Sequence, residues 1–168
     1  PIIASTSNLI AQNDTEFGFP VGASIFNFGS ADQNNVSLTA TVTGPTGTWT
    51  ETAGPYSILA GDTLDVYTGG TNNIPAFSFP NYPNGRYTLT YEVDLGIADS
   101  SDFDNTLSYE FVISDEVISY SSVDTLTGIP TPSANYRAAN SGSFQSCQHF
   151  RDPNASRLGA QGMYFSAV

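Results

Sequence analysis

Positive charge and cysteine are both scarce in this sequence. It contains no lysine and only four arginines, against 16 acidic residues, and its formal net charge at pH 7 is −12. The electric field of so negative a chain repels the phosphate backbones of nucleic acids, so we expect no nucleic-acid partner. With Cys147 as the single cysteine, no disulfide within the chain is available. No apolar run is long enough to span a bilayer as a helix, and we therefore expect no membrane insertion.

Residue patterns that carry catalysis are also missing. The sequence has no Gly-x-Ser-x-Gly nucleophile elbow, no His-Glu-x-x-His zinc motif and no glycine-rich phosphate loop. His149 is the only histidine, and together with Cys147 it provides fewer ligands than a metal site needs. We therefore expect no enzymatic activity within these 168 residues.

Alternation of apolar and polar residues dominates the chain, and no helical stripe is found. The clearest strands are predicted at 36–43, 87–93 and 107–113. In each of them, every second residue is apolar and faces the core, and in the last strand these residues run from Leu107 to Ile113. Weaker strands are predicted at 8–12, 22–28, 47–52, 62–67 and 76–79. Strands with one buried and one wet face, separated by Gly, Pro and Asn turns, predict an all-β, immunoglobulin-like Greek-key sandwich.

The composition changes near residue 116. All of the acidic residues except Asp124 and Asp152 come before Val117, whereas three of the four arginines follow it. A Pro-rich segment at 128–133 then reads as a linker. We expect residues 1–116 to form the sandwich, residues 117–133 to be a strand and linker, and residues 134–168 to be an incomplete second β-domain.

The acidic stretch before the last clear strand is the best candidate for a metal site. Asp99, Asp102 and Asp104, together with Asn105, offer the hard oxygen ligands that calcium prefers. Calcium is the only cofactor that these residues suggest. Their spacing does not match the helix-loop-helix calcium pattern, because no terminal Glu follows. The alternative is a solvated hairpin loop whose carboxylates serve solubility.

Aromatic side chains are the second candidate. Tyr56 and Tyr82 could belong to a platform on which sugar rings stack, which would make the chain a carbohydrate-binding module. Tyr82 follows Pro80-Asn and precedes Pro83, so it is the residue most expected to be exposed. The alternative, which we favour, is that the aromatics fill the core and cover strand ends. The alternation of Phe77 and Phe79 places both inward.

Four segments, taken in order, resemble those of a known family. The run at 26–44 resembles the opening of CARDB-like and fibronectin-type-III-like modules, and the turn at 59–62 resembles their mid-domain turn. The runs at 85–93 and 109–115 resemble their closing hairpin. The combination is similar to accessory domains of large secreted and cell-surface proteins of Bacteroidetes, many of which leave the cell by the type IX route.

This resemblance implies a non-catalytic, extracellular structural or adhesive spacer module of a multidomain surface protein. The partners it implies are the neighbouring domains of the same parent chain and a cell-surface or glycan ligand. It also implies that residues 117–168 begin a jelly-roll-like domain. O-glycosylation is implied at Thr63 and Thr125, where Asp-Thr is followed by an apolar residue. The alternative function is a carbohydrate-binding module accessory to a secreted enzyme.

Overall fold

The computed structural model describes residues 6–7, 19–78, 83–97, 103–114, 124 and 162. This part of the chain contains strands and no helix. None of its residues therefore forms a helix long and apolar enough to cross a membrane. The strands are β1 (Thr6–Ser7), β2 (Gly22–Phe26), β3 (Gln33–Gly44), β4 (Gly47–Ile58), β5 (Thr63–Tyr67), β6 (Gly85–Asp94) and β7 (Thr106–Ser114).

The strands form two sheets. The larger has the order β1-β7-β6-β3-β4 and is antiparallel except for β1, which runs parallel to β7. The smaller is the antiparallel pair β2 and β5. The chain crosses from the small sheet to the large one between β2 and β3, and back between β4 and β5. It then returns to pair β6 beside β3. This is an immunoglobulin-like β-sandwich, as the sequence pattern predicts.

The predicted alternation is confirmed in β3 and β6. Val36, Leu38, Ala40 and Val42 of β3 are fully buried, and the residues between them face outward. β6 buries Tyr87, Leu89 and Tyr91 in the same way. One-sided burial of this kind is what antiparallel strands need in order to stack one sheet on the other.

β7 follows the predicted alternation, and Leu107 pairs with the inward Tyr91, but burial is incomplete at the start of the strand. Phe111 and Ile113 are buried, but Leu107 is half exposed. The physical reason lies at the edge of the sheet. The strand described beside β7 on that side is β1, which spans two residues and pairs with Ile113 and Ser114. No described strand therefore covers the opposite end of β7, where Leu107 lies.

The two sheets share one hydrophobic core. Ile25 and Val66 of the small sheet belong to the same buried cluster as the inward residues of β3, β6 and β7. Phe77 is fully buried and contacts the rings of Phe19 and Trp49 at centroid distances of 4.8 and 5.5 Å. The inward placement predicted for Phe77 is thus confirmed, whereas Phe79 lies outside the described residues.

Tyr87 ties the start of β6 to the preceding loop. Its hydroxyl donates a 2.8 Å hydrogen bond to the carbonyl of Pro83, and its ring stacks on Phe111 with the centroids 5.1 Å apart. A buried tyrosine whose hydroxyl bonds to backbone a few residues upstream is the tyrosine corner of immunoglobulin-like sandwiches. The contact therefore supports the same fold independently of the strand order.

Three of the weaker strand predictions need correction. The strand predicted at 76–79 is absent from the described part of that segment, where Phe77 forms only an isolated bridge with Phe19. Pro75, which has no N–H to donate, stands directly before the segment. The strand predicted at 47–52 continues to Ile58, and the one predicted at 22–28 ends at Phe26. The strand predicted at 8–12 and, apart from Asp124 and Gly162, the linker and the second domain lie outside the described residues.

Candidate functional site

Three loops meet at one end of the sandwich. Phe26 of β2 pairs with Thr63 of β5, and Gln33 of β3 pairs with Ile58 of β4. Strands β2, β4 and β6 therefore end where β3, β5 and β7 begin. We call this end, with residues 26–32, 59–62, 95–97 and 103–105, the loop end. In antibody variable domains, the loops at one end of a similar sandwich bind the ligand.

Asn27 joins two of these loops. Its side-chain amide is buried and donates hydrogen bonds of 2.9–3.3 Å to the carbonyls of Ala31, Ile58 and Leu59. Its side-chain oxygen accepts a hydrogen bond from the backbone N–H of Gly29. Because these bonds connect the β2–β3 loop with the end of β4, the two loops are held as one unit. In the sequence, Asn27 lies within the run at 26–44, and that resemblance does not reveal this role.

A second set of hydrogen bonds reinforces the connection. The backbone N–H of Asn27 donates to the carbonyl of Asp62, and the N–H of Gly61 donates to the carbonyl of Asn27. The carboxylate of Asp32 accepts a 3.0 Å hydrogen bond from the N–H of Ala60. These two loops are therefore built on backbone that is already hydrogen-bonded, so little of their conformational entropy remains to be lost on binding.

Large apolar side chains are exposed at the loop end. Phe28 and Phe103 are both 83% exposed, and the rings of Phe26 and Phe28 contact each other at a centroid distance of 4.2 Å. Leu59 and Ile97 are exposed on the second and third loops. Elsewhere in the described part of the chain, the large hydrophobic residues that are exposed are Tyr67 and Leu107. The exposed apolar surface is thus concentrated at one end of the molecule.

Carboxylates lie on the same loops as these apolar side chains. Asp32, Asp62, Asp94 and Asp104 are exposed on the three loops or at their strand junctions. Arg86, the one lysine or arginine among the described residues, lies at the opposite end of β6 and pairs with Glu110 at 3.3 Å. Within the described residues, the loop end therefore carries negative charge and no cationic side chain.

The predicted calcium ligands are only partly described. Asp104 is exposed in the turn before β7, and the carbonyl of Asn105 accepts a 2.9 Å hydrogen bond from the N–H of Val93. Asp99 and Asp102 lie outside the described residues. Within the described residues, no three His, Cys, Asp or Glu side chains lie close enough together to hold a metal ion. Calcium binding by the full set stays a prediction.

The predicted ligand-binding tyrosines and glycosylation sites are likewise only partly described. Tyr56 lies half-buried in β4, where it packs against the core. Tyr82 lies outside the described residues, so their pairing in a sugar-stacking platform stays a prediction. Thr63 is exposed at the start of β5, and its backbone N–H bonds to the side chain of Asp62. Thr125 lies outside the described residues, and glycosylation at both positions stays a prediction.

Comparisons with known proteins identify no family. No family matches the chain, and no curated protein matches it. Among solved structures, the chain is similar to SSP-19, an MSP-domain protein like family member in Caenorhabditis elegans, with a TM-score of 0.32 and 9% sequence identity. That match covers 68% of this chain and 94% of the other. The fold assignment rests on the strand order, the shared core and the tyrosine corner described above.

Proposed function

We propose that this chain is a non-catalytic, extracellular adhesive and spacer module that engages its partner through the loop end. The observation that carries the proposal is the concentration of exposed Phe, Leu and Ile side chains there. Phe28 and Phe103 remove almost no apolar surface from water when the chain folds, so they contribute little to stability. Exposed apolar surface concentrated in one region of a soluble domain marks an interaction site.

Aromatic side chains at such a site supply much of the binding energy in protein interfaces. The paired rings of Phe26 and Phe28 lie on either side of Asn27, whose hydrogen bonds hold the loop. A partner that covers the two rings therefore gains apolar burial without first having to order the backbone beneath them.

The direction of the chain also supports an adhesive role. β7 begins at the loop end and reaches the opposite end of the sandwich at Ser114, where β1 pairs beside it. The chain therefore leaves β7 at the end that points away from the loops. In a multidomain parent, neighbouring domains joined after β7 leave the loop end free to contact a separate partner.

The resemblance to accessory modules of secreted proteins supports the extracellular part of the proposal. The composition agrees with it, because only 12% of the residues are charged and the polar surface is made largely of Ser, Thr and Asn. Hydroxyl pairs such as Thr39–Thr52, at 2.9 Å, cover the outer face of the large sheet. Uncharged hydroxyl groups therefore supply part of the contact that this face makes with water.

An adhesion assay under flow tests the proposed function. Beads coated with the chain are passed over cells from the source organism, and retention is compared with that of beads coated with a Phe28→Ser/Phe103→Ser variant. We expect retention of the wild-type beads and a fall of about tenfold or more for the variant, because hot-spot aromatics dominate interface energy.

The matched control is Tyr67→Ser, which removes an exposed aromatic ring from the opposite end of the sandwich. Retention should survive this change. Equal retention of all three bead types, or no retention of the wild type, would contradict adhesion through the loop end.

A further inference from the structure

The carboxylates on the loops that carry the exposed apolar side chains indicate which class of molecule the loop end binds. We infer that the loop end binds a polypeptide segment in which arginine or lysine alternates with apolar residues. This inference rests on the proposed function and adds the chemistry of the ligand. It follows from three features of the loop end: the sign of its charge, the type of its aromatic rings and its aliphatic neighbours.

The sign of the charge favours a cationic ligand. Asp32 and Asp62 lie on the same two loops as Phe28 and Leu59, and Asp94 and Asp104 lie at the ends of the third loop. The one cationic side chain in the described part of the chain, Arg86, is at the far end and interacts with Glu110. A cationic segment is therefore steered toward these loops, whereas an anionic protein or lipid surface is repelled.

The aromatic rings at the loop end fit the same ligand. A guanidinium or ammonium group is attracted to the face of an aromatic ring, and arginine also stacks on it. Phe26 and Phe28 meet at an interplanar angle of 64°, and Phe28 is 83% exposed, so this pair offers ring surface to a cation. Asp32 and Asp62, on the loops that carry Phe28 and Leu59, supply negative charge for the same cation.

The aliphatic residues account for the apolar part of the ligand. Leu59 and Ile97 are exposed on the second and third loops, where they can pack against Leu or Val side chains of a partner. The described loop end has no exposed Tyr or Trp, so it lacks rings with a polar tip that could also hydrogen-bond to a sugar. Its chemistry therefore favours a cationic, apolar polypeptide over a neutral glycan.

The test measures binding of a defined probe by fluorescence anisotropy. The probe is a labelled synthetic peptide of Gly-Arg-Leu-Ser repeats. One control peptide has Glu in place of Arg, and the other has Ser in place of Leu. We expect saturable binding of the first peptide at about 0.05 M NaCl that weakens strongly at about 0.5 M, because salt screens exposed charges. The two control peptides should each bind at least about tenfold more weakly.

Variants of the chain locate the binding site. Phe28→Ser/Phe103→Ser should weaken binding of the Arg-Leu peptide by about tenfold or more. Asp104→Asn should weaken it by a smaller factor and reduce its dependence on salt. Glu92→Gln removes the same charge from the outer face of β6, and Tyr67→Ser removes an exposed ring at the far end. Both controls should bind like the wild type, and circular dichroism should show that every variant is folded.

The outcomes separate this inference from the proposed function. Equal binding of the Arg and Glu peptides would overturn the cationic ligand. Adhesion that depends on Phe28 and Phe103, combined with no binding of the Arg-Leu peptide, would overturn the ligand class and leave the adhesive function standing. Binding of a neutral glycan that is lost in Phe28→Ser/Phe103→Ser would also overturn the ligand class and leave the adhesive function standing. Peptide binding that is unchanged in that variant would place the site elsewhere.

Discussion

Asn27 shows how one buried polar residue organises the loop end. Its amide lies among the carbonyls of Ala31, Ile58 and Leu59, and these backbone groups would otherwise need partners of their own. A buried acceptor without a hydrogen bond costs about 1–3 kcal/mol. The residue therefore contributes to stability and also fixes the distance between the two loops that carry Phe28 and Leu59.

Replacing Asn27 with alanine should lower the free energy of unfolding by about 2–3 kcal/mol, because the three hydrogen bonds that its buried amide donates to Ala31, Ile58 and Leu59 are lost. Urea denaturation measures the change. Asn35→Ala is the matched control, since Asn35 is exposed on β3 and its removal should cost no more than about 0.5 kcal/mol. Equal losses in the two variants would show that the hydrogen bonds of Asn27 do not hold the loops.

At the scale of elements, the β3–β4 hairpin depends on a single glycine. Gly44 and Gly47 pair at the two ends of the Pro45-Thr46 turn. A Cβ at Gly44 would collide with the ring of Tyr87 on the neighbouring β6. The hairpin can therefore lie this close to β6 only because residue 44 has no side chain. The same ring makes the tyrosine-corner bond to Pro83, so the turn and the corner are coupled.

Gly44→Ala should lower the free energy of unfolding by about 1–3 kcal/mol, the usual cost of forcing extra volume into a packed site. Thermal and urea unfolding measure the loss. Thr46→Ala, in the same exposed turn, should change stability by no more than about 0.5 kcal/mol. If Gly44→Ala were as stable as the control, the ring of Tyr87 would have to move freely, which contradicts its packing between Gly44 and Phe111.

At the scale of the whole molecule, a hydrogen bond joins the two sheets. The backbone N–H of Gly22 on β2 donates to the hydroxyl of Tyr91 on β6 at 2.9 Å. Burial raises the pKa of the Tyr91 hydroxyl above 10.0, although the bond from Gly22 acts in the opposite direction. The folded protein therefore holds Tyr91 neutral at a pH at which the unfolded chain ionises it.

The difference between the pKa of Tyr91 in the folded protein and in the unfolded chain predicts a loss of stability in alkali. Below about pH 10 tyrosine is neutral in both states, and the contribution of Tyr91 is fully present. Above that pH the unfolded chain releases the proton first, so the free energy of unfolding falls as pH rises toward the folded-state pKa. Urea denaturation between about pH 8 and pH 11 measures the slope. Tyr91→Phe should flatten it, and an unchanged slope in that variant would assign the loss to other groups.

The alternation of residues determined the strands and most of their buried faces. This information is local, because side chains in a strand point to opposite faces in turn. Val36 to Val42 and Tyr87 to Tyr91 therefore face inward as predicted. The alternation also predicts the inner face for Leu107, which pairs with the buried Tyr91, but Leu107 is half exposed because burial there depends on whether another strand covers the edge of the sheet.

Only the tertiary structure decided where the exposed apolar residues meet. Phe28, Leu59 and Ile97 stand on separate loops far apart in the sequence, and no pattern of neighbouring residues links them. Strand pairing brings the three loops to one end, and Asn27 bonds two of them together. Convergence of this kind arises from contacts between distant segments, which a pattern of neighbouring residues does not contain. The sequence therefore predicted the sandwich, and folding created its loop end.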